Sequence, residues 1–489
     1  MLEELKKALY KTTTENGALT NTTSHSYLLD FFSLAGAMRN RKEADITSLF
    51  SKAFNENPDY AMKALFFMRD IREGNGERRL FRICTKWLAE NETKALVKNL
   101  PYFAHFGRWD DLNELLETKV YHDVIKLIIR QIEEDILLCE INQSISLLAK
   151  WLPSENASST KTKKQAQLIM KGLGYTPKLY RKTLSRLRKH IDVLERKMSE
   201  RKWDEIDYEA VPSQAMMKYR QAFYRNDEER YEAYVNALHD ESPVTRASIN
   251  VATLHPYQIV EKVLYARYSQ EKTQLYDAMW NNLPDVVGDK YQNSLAVVDV
   301  SGSMSGTPLF VAISLGLYIA EKNKGRFHNH FMTFSSRPEL VEVVGSNFTD
   351  KVQNIATANW GMNTNLEASF KLILDTAVKH KLSPSELPSS LIIISDMEFD
   401  MACRNNSQTL FDTLKESFEK HGYKLPRVVF WNVDARQNQA PVVKDEPNVQ
   451  LISGFSQNLF ASLMEQREYS PYDFMMEVLA ADRYKDIVA

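Results

Sequence analysis

Cysteine is scarce: Cys84, Cys139 and Cys403 are the only three in 489 residues. Three scattered thiols make neither a disulfide framework nor a Cys-x-x-Cys metal clip, so the setting reads as reducing and intracellular. Long apolar runs are also missing, and nothing approaches the roughly 20 apolar residues that span a bilayer. The opening stretch MLEELKKALYKTTTENG mixes charged with apolar residues and lacks the hydrophobic region of a secretory signal. The expectation is a soluble, cytoplasmic, monomeric protein with no membrane partner. There is no phosphate loop of the GxxxxGKS/T kind, no Gly-x-Ser-x-Gly elbow and no zinc-finger spacing. Neither the aromatic sheet motif of RNA-recognition domains nor a GxxG clamp is present, so sequence-specific base readout is not expected.

What is present divides the chain in two. Its length calls for two or three domains. Residues 1–290 read as helices: DYAMKALFFMRDI sets Ala61, Ala64, Leu65, Met68 and Ile71 at steps of three and four, and EGNGERRLFRICTKWLAEN restarts the pattern after a Gly-Asn-Gly break. Helix pairs of this length are the unit of an α-solenoid of HEAT-like repeats. No strict period recurs, and an irregular helical domain is the alternative. Residues 291–489 change character. LAVVDV, HNHFMTF, ELVEVV, SLIIISD, PRVVFWNV and NVQLISG are strand-like, and helical segments separate them, which implies βαβ units in a doubly wound, mostly parallel sheet. SPYDFMMEVLAADRYKDIV reads as a terminal helix that closes this domain or returns to the first. The fold class is thus multidomain, α followed by α/β.

The near-neutral total, 62 Lys and Arg against 64 Asp and Glu, hides an uneven distribution. Between Lys161 and Lys202 stand 14 Lys and Arg against three acids. TPKLYRKTLSRLRKHIDVLERKMSERKWDE reads as one long amphipathic helix with Leu184, Leu187, Ile191, Leu194 and Met198 on its apolar face. A basic stripe interleaved with Tyr175, Tyr180 and Trp203 suits a phosphate backbone, where neutralised phosphates release counterions. The competing reading is a solvated face balanced by acidic neighbours such as Asp227, Glu228, Glu229 and Glu232.

The densest chemistry lies in SLAVVDVSGSMSGTP. Asp299 ends an apolar strand, Ser301 and Ser303 follow, and Gly302 permits a tight turn. Strand carboxyl ends are where open α/β sheets place ligands. Hard oxygens at alternating positions suit Mg²⁺, which needs about six of them, so other loops must contribute. Thr364 in TANWGMNTNLEASF and Asp396 at the end of SSLIIISDMEFD stand in suitable places, with Asp400 four residues on. A plain helix cap formed by the serines is the simpler alternative. This order of DxSxS, turn threonine and strand-terminal aspartate resembles the metal-ion-dependent adhesion site of von Willebrand factor A domains. The resemblance implies a Rossmann-like domain in which Asp299, Ser301, Ser303, Thr364 and Asp396 hold Mg²⁺ or Mn²⁺, with one position open to an acidic partner group. One departure stands out: the family commonly has Gly after the later Asp, and here Met397 and Glu398 follow.

Helical repeats joined to such a domain resemble the TROVE-containing Ro autoantigen proteins, and more closely a domain-of-unknown-function family of that build. The segments that carry the latter are FFMRDIREGNGERRLFR, FGRWDDL, the long basic stretch from LGYTPKLYRK onward, and VVDVSGSMSG. In Ro proteins a ring of helices binds small noncoding RNA and takes in single-stranded ends. The resemblance therefore implies a cytoplasmic, non-enzymatic ribonucleoprotein scaffold. From charge, Lys182, Arg186, Lys189 and Lys197 are candidate phosphate contacts, with Arg78, Arg79 and Arg82 as a second patch. His105 and Trp109 read as structural, and Asp110 or Asp111 as a helix cap. Mg²⁺-dependent protein binding without RNA is the second expectation, and a metal-dependent nuclease the third.

Overall fold

The computed structural model describes residues 11–251, 253–269, 273–288, 293–334, 337–356, 365–400, 410–463 and 468–489. Its first part is helical and its second is an α/β sheet domain. In the helical part, neighbours in sequence pack on one another. The helices Glu43–Glu56 and Pro58–Arg69 share one linking residue, Asn57. It closes the first helix, and its side chain accepts from the Tyr60 amide at 3.2 Å, while Pro58 opens the second helix with φ already set. The second helix buries Ala61, Met62 and every residue from Ala64 to Arg69, which makes it a central helix rather than a surface one. Phe66 meets the rings of Phe81, Phe103 and Phe106 at 5.4–5.9 Å.

The long basic helix expected between Pro177 and Trp203 is in fact two. Pro177–His190 ends at Ile191, and Leu194–Ser199 follows. Asp192 adopts a left-handed φ of 50°, a conformation that Asp tolerates better than most residues and that stops a right-handed helix. Its carboxylate then takes Lys197 at 2.7 Å. The apolar row survives as far as Leu187 and is only partly buried beyond it.

The sheet comprises β3 (Ser294–Val298), β4 (His330–Thr333), β5 (Leu340–Glu342), β6 (Ser390–Ser395), β7 (Arg427–Asn432) and β8 (Val449–Ser453), in the order β5-β4-β3-β6-β7-β8. All pairings are parallel except the edge pair β4–β5. The central strands β3 and β6 are buried along their whole length, which is why they read as unbroken apolar runs. The helix Thr307–Lys322 presses on β3 so closely that a Cβ at Gly316 would lie 2.4 Å from Val298 Cγ2.

The chain ends cross over. A small N-terminal hairpin, β1 (Lys11–Thr13) and β2 (Leu19–Asn21), lies on the sheet domain, where Asn21 and Ala440 exchange backbone hydrogen bonds. The helix Pro471–Leu479 wedges between β8 and the helices Tyr27–Leu34 and Pro58–Arg69. Beyond it, Arg483 pairs with Asp70, and Asn99 donates to the Val488 carbonyl. Gly36 joins the halves directly: its amide donates to Ser453 Oγ at 3.0 Å.

Candidate functional site

β3 delivers Asp299 in register, since its amide still bonds the Ile394 carbonyl of β6 at 3.0 Å. The carboxylate is fully buried. Oδ1 accepts from the Ser301 amide at 2.9 Å and Oδ2 from the Ser395 hydroxyl at 2.6 Å. Ser301 Oγ and Ser303 Oγ lie 2.8 Å apart. Neither serine caps the helix Thr307–Lys322, whose N-cap is Gly306 without any side-chain bond, so helix capping does not account for them. β6 places Asp396 beside this turn, and its Oδ1 accepts from the Glu398 amide at 3.1 Å. Burial, and then repulsion from Asp396, push the Asp299 carboxyl up to about 6. Both carboxylates are buried, and the charge of Asp396 is felt at Asp299.

Met397 has φ 65°. This left-handed backbone costs a residue other than glycine about 1–2 kcal/mol. Thr364 lies outside the described residues. The backbone of Asp400 forms an isolated bridge with Gly17.

The structure adds residues from loops distant in sequence. After β7, Arg436 places Nη2 on Asp396 Oδ2, Nη1 on Glu15 Oε2 at 3.0 Å and Nε 3.4 Å from Asp434 Oδ2. Glu398 is buried and its Oε2 accepts from the Glu15 amide at 2.7 Å. Burial raises the carboxyls of both Asp434 and Glu398 above the ordinary range. Asp299, Asp396 and Asp434 thus follow three adjacent parallel strands. Ser395 could have been noticed as the residue before a strand-terminal Asp. Glu15, more than 380 positions away, carries no such signal.

Among the described residues, no group of three or more His, Cys, Asp or Glu is arranged to hold a metal. The set here is two carboxylates and two hydroxyls. Its chemistry fits a hard divalent cation, because every donor is an oxygen; Arg436 is the positive charge that faces Asp396 in the structure. No basic side chain among the described residues is hydrogen-bonded to either serine hydroxyl.

Among the described residues, seven of the basic segment's 14 Lys and Arg form ion pairs, and the acids that reach it from other segments are not those expected. Lys161, Lys164, Arg181 and Arg186 pair with Glu114, Glu117, Glu155 and Glu140 from preceding segments. Asp227 instead serves Arg230 and Tyr208. Lys197 is mostly buried against Asp192 and the Glu205 carbonyl. Arg188 turns inward and donates to the carbonyls of Ala149 and Leu152, both at 2.8 Å. Lys163, Lys171 and Arg201 stay exposed without an ion pair, and on Pro177–His190 an exposed row, Lys178, Lys182 and Lys189, forms no ion pair or hydrogen bond with the described residues, while Tyr180, Leu184 and Leu187 anchor the opposite face.

The second patch also separates. Arg82 bonds Asp111 Oδ1 at 2.7 Å and lies 2.9 Å from Asp110. Arg79 donates to the Arg39 carbonyl at 3.2 Å. Arg78 is exposed and faces Arg108 and Arg82; partial burial and these like charges lower its affinity for its proton. The FGRWDDL motif is a charge network: Asp111 takes Arg69, Arg82 and the Arg108 amide, and Asp110 takes Arg108. A Cβ at Gly107 would fall 2.6 Å from Asp111 Oδ2. Asp111 therefore closes a capping box with Arg108 while serving chiefly as a charge partner. Trp109 packs half-buried against the core, whereas His105 is exposed and meets the Phe106 ring edge-on.

Residues 14–126 and 156–291 match the family described as a domain of unknown function, DUF2828, and residues 293–485 match a second such domain, DUF7788. An uncharacterized protein of Acanthamoeba polyphaga mimivirus is 32% identical over 501 residues, covering 95% of this chain and 86% of that protein. The crystal structure of the Deinococcus radiodurans RO (RSR) protein aligns over 90% of this chain and 99% of its own, at 13% identity and a TM-score of 0.37.

Proposed function

The chain belongs to the DUF2828 family, with DUF7788 following in the same polypeptide, and we propose that it is a non-enzymatic scaffold that binds RNA through its helical part and a divalent cation through its sheet domain. The observation that carries the RNA reading is the row Lys178, Lys182 and Lys189. These three charges stay unpaired, and they repeat on one face of a helix whose opposite face is buried and fastened by the Tyr180 hydroxyl to the Pro153 carbonyl. Such a row takes phosphates without reading bases. Arg78 supplies a further unpaired charge. The test is filter binding of a structured RNA with single-stranded ends across a salt series. K178E/K182E/K189E should weaken binding at least tenfold and flatten the dependence of log K on log salt. An unchanged affinity and slope would refute the RNA reading.

The cation would be held by Asp299, Ser301, Ser303 and Asp396, with Thr364 as the further candidate ligand. When bound, it would offer a Lewis-acidic position to an acidic oxygen. The adjacent burial of Asp299 and Asp396 favours a second reading of the same site, as the anchor for a partner protein's carboxylate. D299A should then abolish capture of that partner and leave RNA affinity intact.

A further inference from the structure

The sheet domain's candidate site already contains a positive charge. Arg436 stands at the centre of Asp396, Glu15 and Asp434, with its three nitrogens each directed at a different carboxylate. Asp299 and Glu398, both buried, lie in the same neighbourhood and act on the Asp396–Arg436 pair electrostatically. Glu15 is not a stray surface acid. The turn that bears it is fastened by Thr14 Oγ1 to the Phe399 carbonyl at 2.6 Å, by the Glu15 amide to Glu398 Oε2 at 2.7 Å, and by Asn16 Nδ2 to the Glu398 carbonyl at 2.7 Å. The three bonds fix the N-terminal turn over the strand ends.

Arg436 occupies Asp396 Oδ2 and the Glu398 amide Oδ1, and a divalent ion brought to the same carboxylate would be repelled by the guanidinium. Glu15 and Asp434, by contrast, face Arg436 through its other two nitrogens, Nη1 and Nε. Resting on the cation-site reading above, we infer that Arg436 is the resident cation of this site, that a divalent ion and Arg436 exchange at Asp396, and that Glu15 and Asp434 retain the guanidinium when the ion enters. Arg436 thereby sets the affinity of the site, and the N-terminal turn forms part of it.

The test measures Mn²⁺ binding to the full chain by loss of the free-ion electron paramagnetic resonance signal. R436Q should bind Mn²⁺ at least tenfold more tightly than the wild type. R436K, which keeps one charge but cannot span several carboxylates, should fall between them. If R436Q and R436K stay within twofold of a wild type that does bind, and D299N abolishes binding, the cation site stands and the exchange is refuted. If neither the wild type nor R436Q binds Mn²⁺, the site reading is overturned and the inference with it. A second measurement needs no variant: phenylglyoxal labelling of Arg436 in the wild type, read by mass spectrometry, should rise at least threefold under saturating Mn²⁺, and unchanged labelling would refute the exchange.

Discussion

Arg69 and Asp111 form a buried ion pair across 42 residues of sequence: Arg69 Nε donates to Asp111 Oδ2 at 2.8 Å, with side-chain exposures of 2% and 0%. Breaking such a pair from one side leaves an uncompensated charge in the core, a loss of about 3–5 kcal/mol. D111A should therefore unfold at markedly lower urea, whereas R78A, a few residues from the same network, should change stability by less than about 0.5 kcal/mol. Equilibrium denaturation of both variants checks this. Equal midpoints would show that the motif is not structural.

The basic helix allows a sharper contrast. Lys182 and Lys189 should each lower RNA affinity when changed to Glu, and the losses should shrink at high salt. Reversal of Arg186, which is already shared with Glu140, should cost less. Replacing Arg188 with Ala should act through stability, because its three donors hold the 149–154 segment in place. Thermal unfolding alongside binding separates the two effects.

Acid should act on two groups in opposite directions. Asp299 rises from an ordinary 3.8 to about 6 in the folded chain, so the native state holds the extra proton. Its contribution to stability is fully present below about pH 4 and is lost as pH rises through 6, with a ceiling of about 3 kcal/mol. His255 falls from 6.5 to about 3, first through burial and then through Arg39. It favours the fold above about pH 6.5, and that stability disappears as pH falls toward 3. In metal-free buffer, D299N should remove the gain in stability between pH 7 and 4, and H255Q should blunt the loss below 6. Unfolding free energies of the two variants across that range decide it.

The joint between the halves gives a purely steric prediction. A Cβ at Gly36 would stand 2.3 Å from the Ser453 carbonyl oxygen, a backbone atom at the end of the edge strand β8 that is held in the sheet and cannot step aside. G36A should destabilise by about 1–3 kcal/mol or more, visible as a fall in melting temperature. A neutral effect would mean that the helix and the sheet have room to separate.

The sequence disclosed most where one principle acted alone. The strands β3, β6, β7 and β8 were readable because burial on both faces writes continuous apolar runs, and Asp299 and Asp396 stood out because strand ends are where such sheets place polar groups. Reading failed where tertiary charge decided the outcome. The surplus between Lys161 and Lys202 gave no hint that Glu114, Glu117, Glu140 and Glu155 would meet it, and one left-handed Asp192 divided a helix that the periodicity continued. Arg436 and Glu15 were illegible for a related reason: their place at the site depends on two loops and a crossing terminus, none of which leaves a local pattern.

That crossing has a consequence for synthesis. Residues 14–24 lie on the sheet domain, and residues 483–489 lie on the helical one. Neither half receives its last contacts from its own stretch of chain. On the ribosome the helical part would wait for residues 483–489 to emerge before Asp70 finds Arg483. A cut near residue 291 would separate each half from a segment that fastens it.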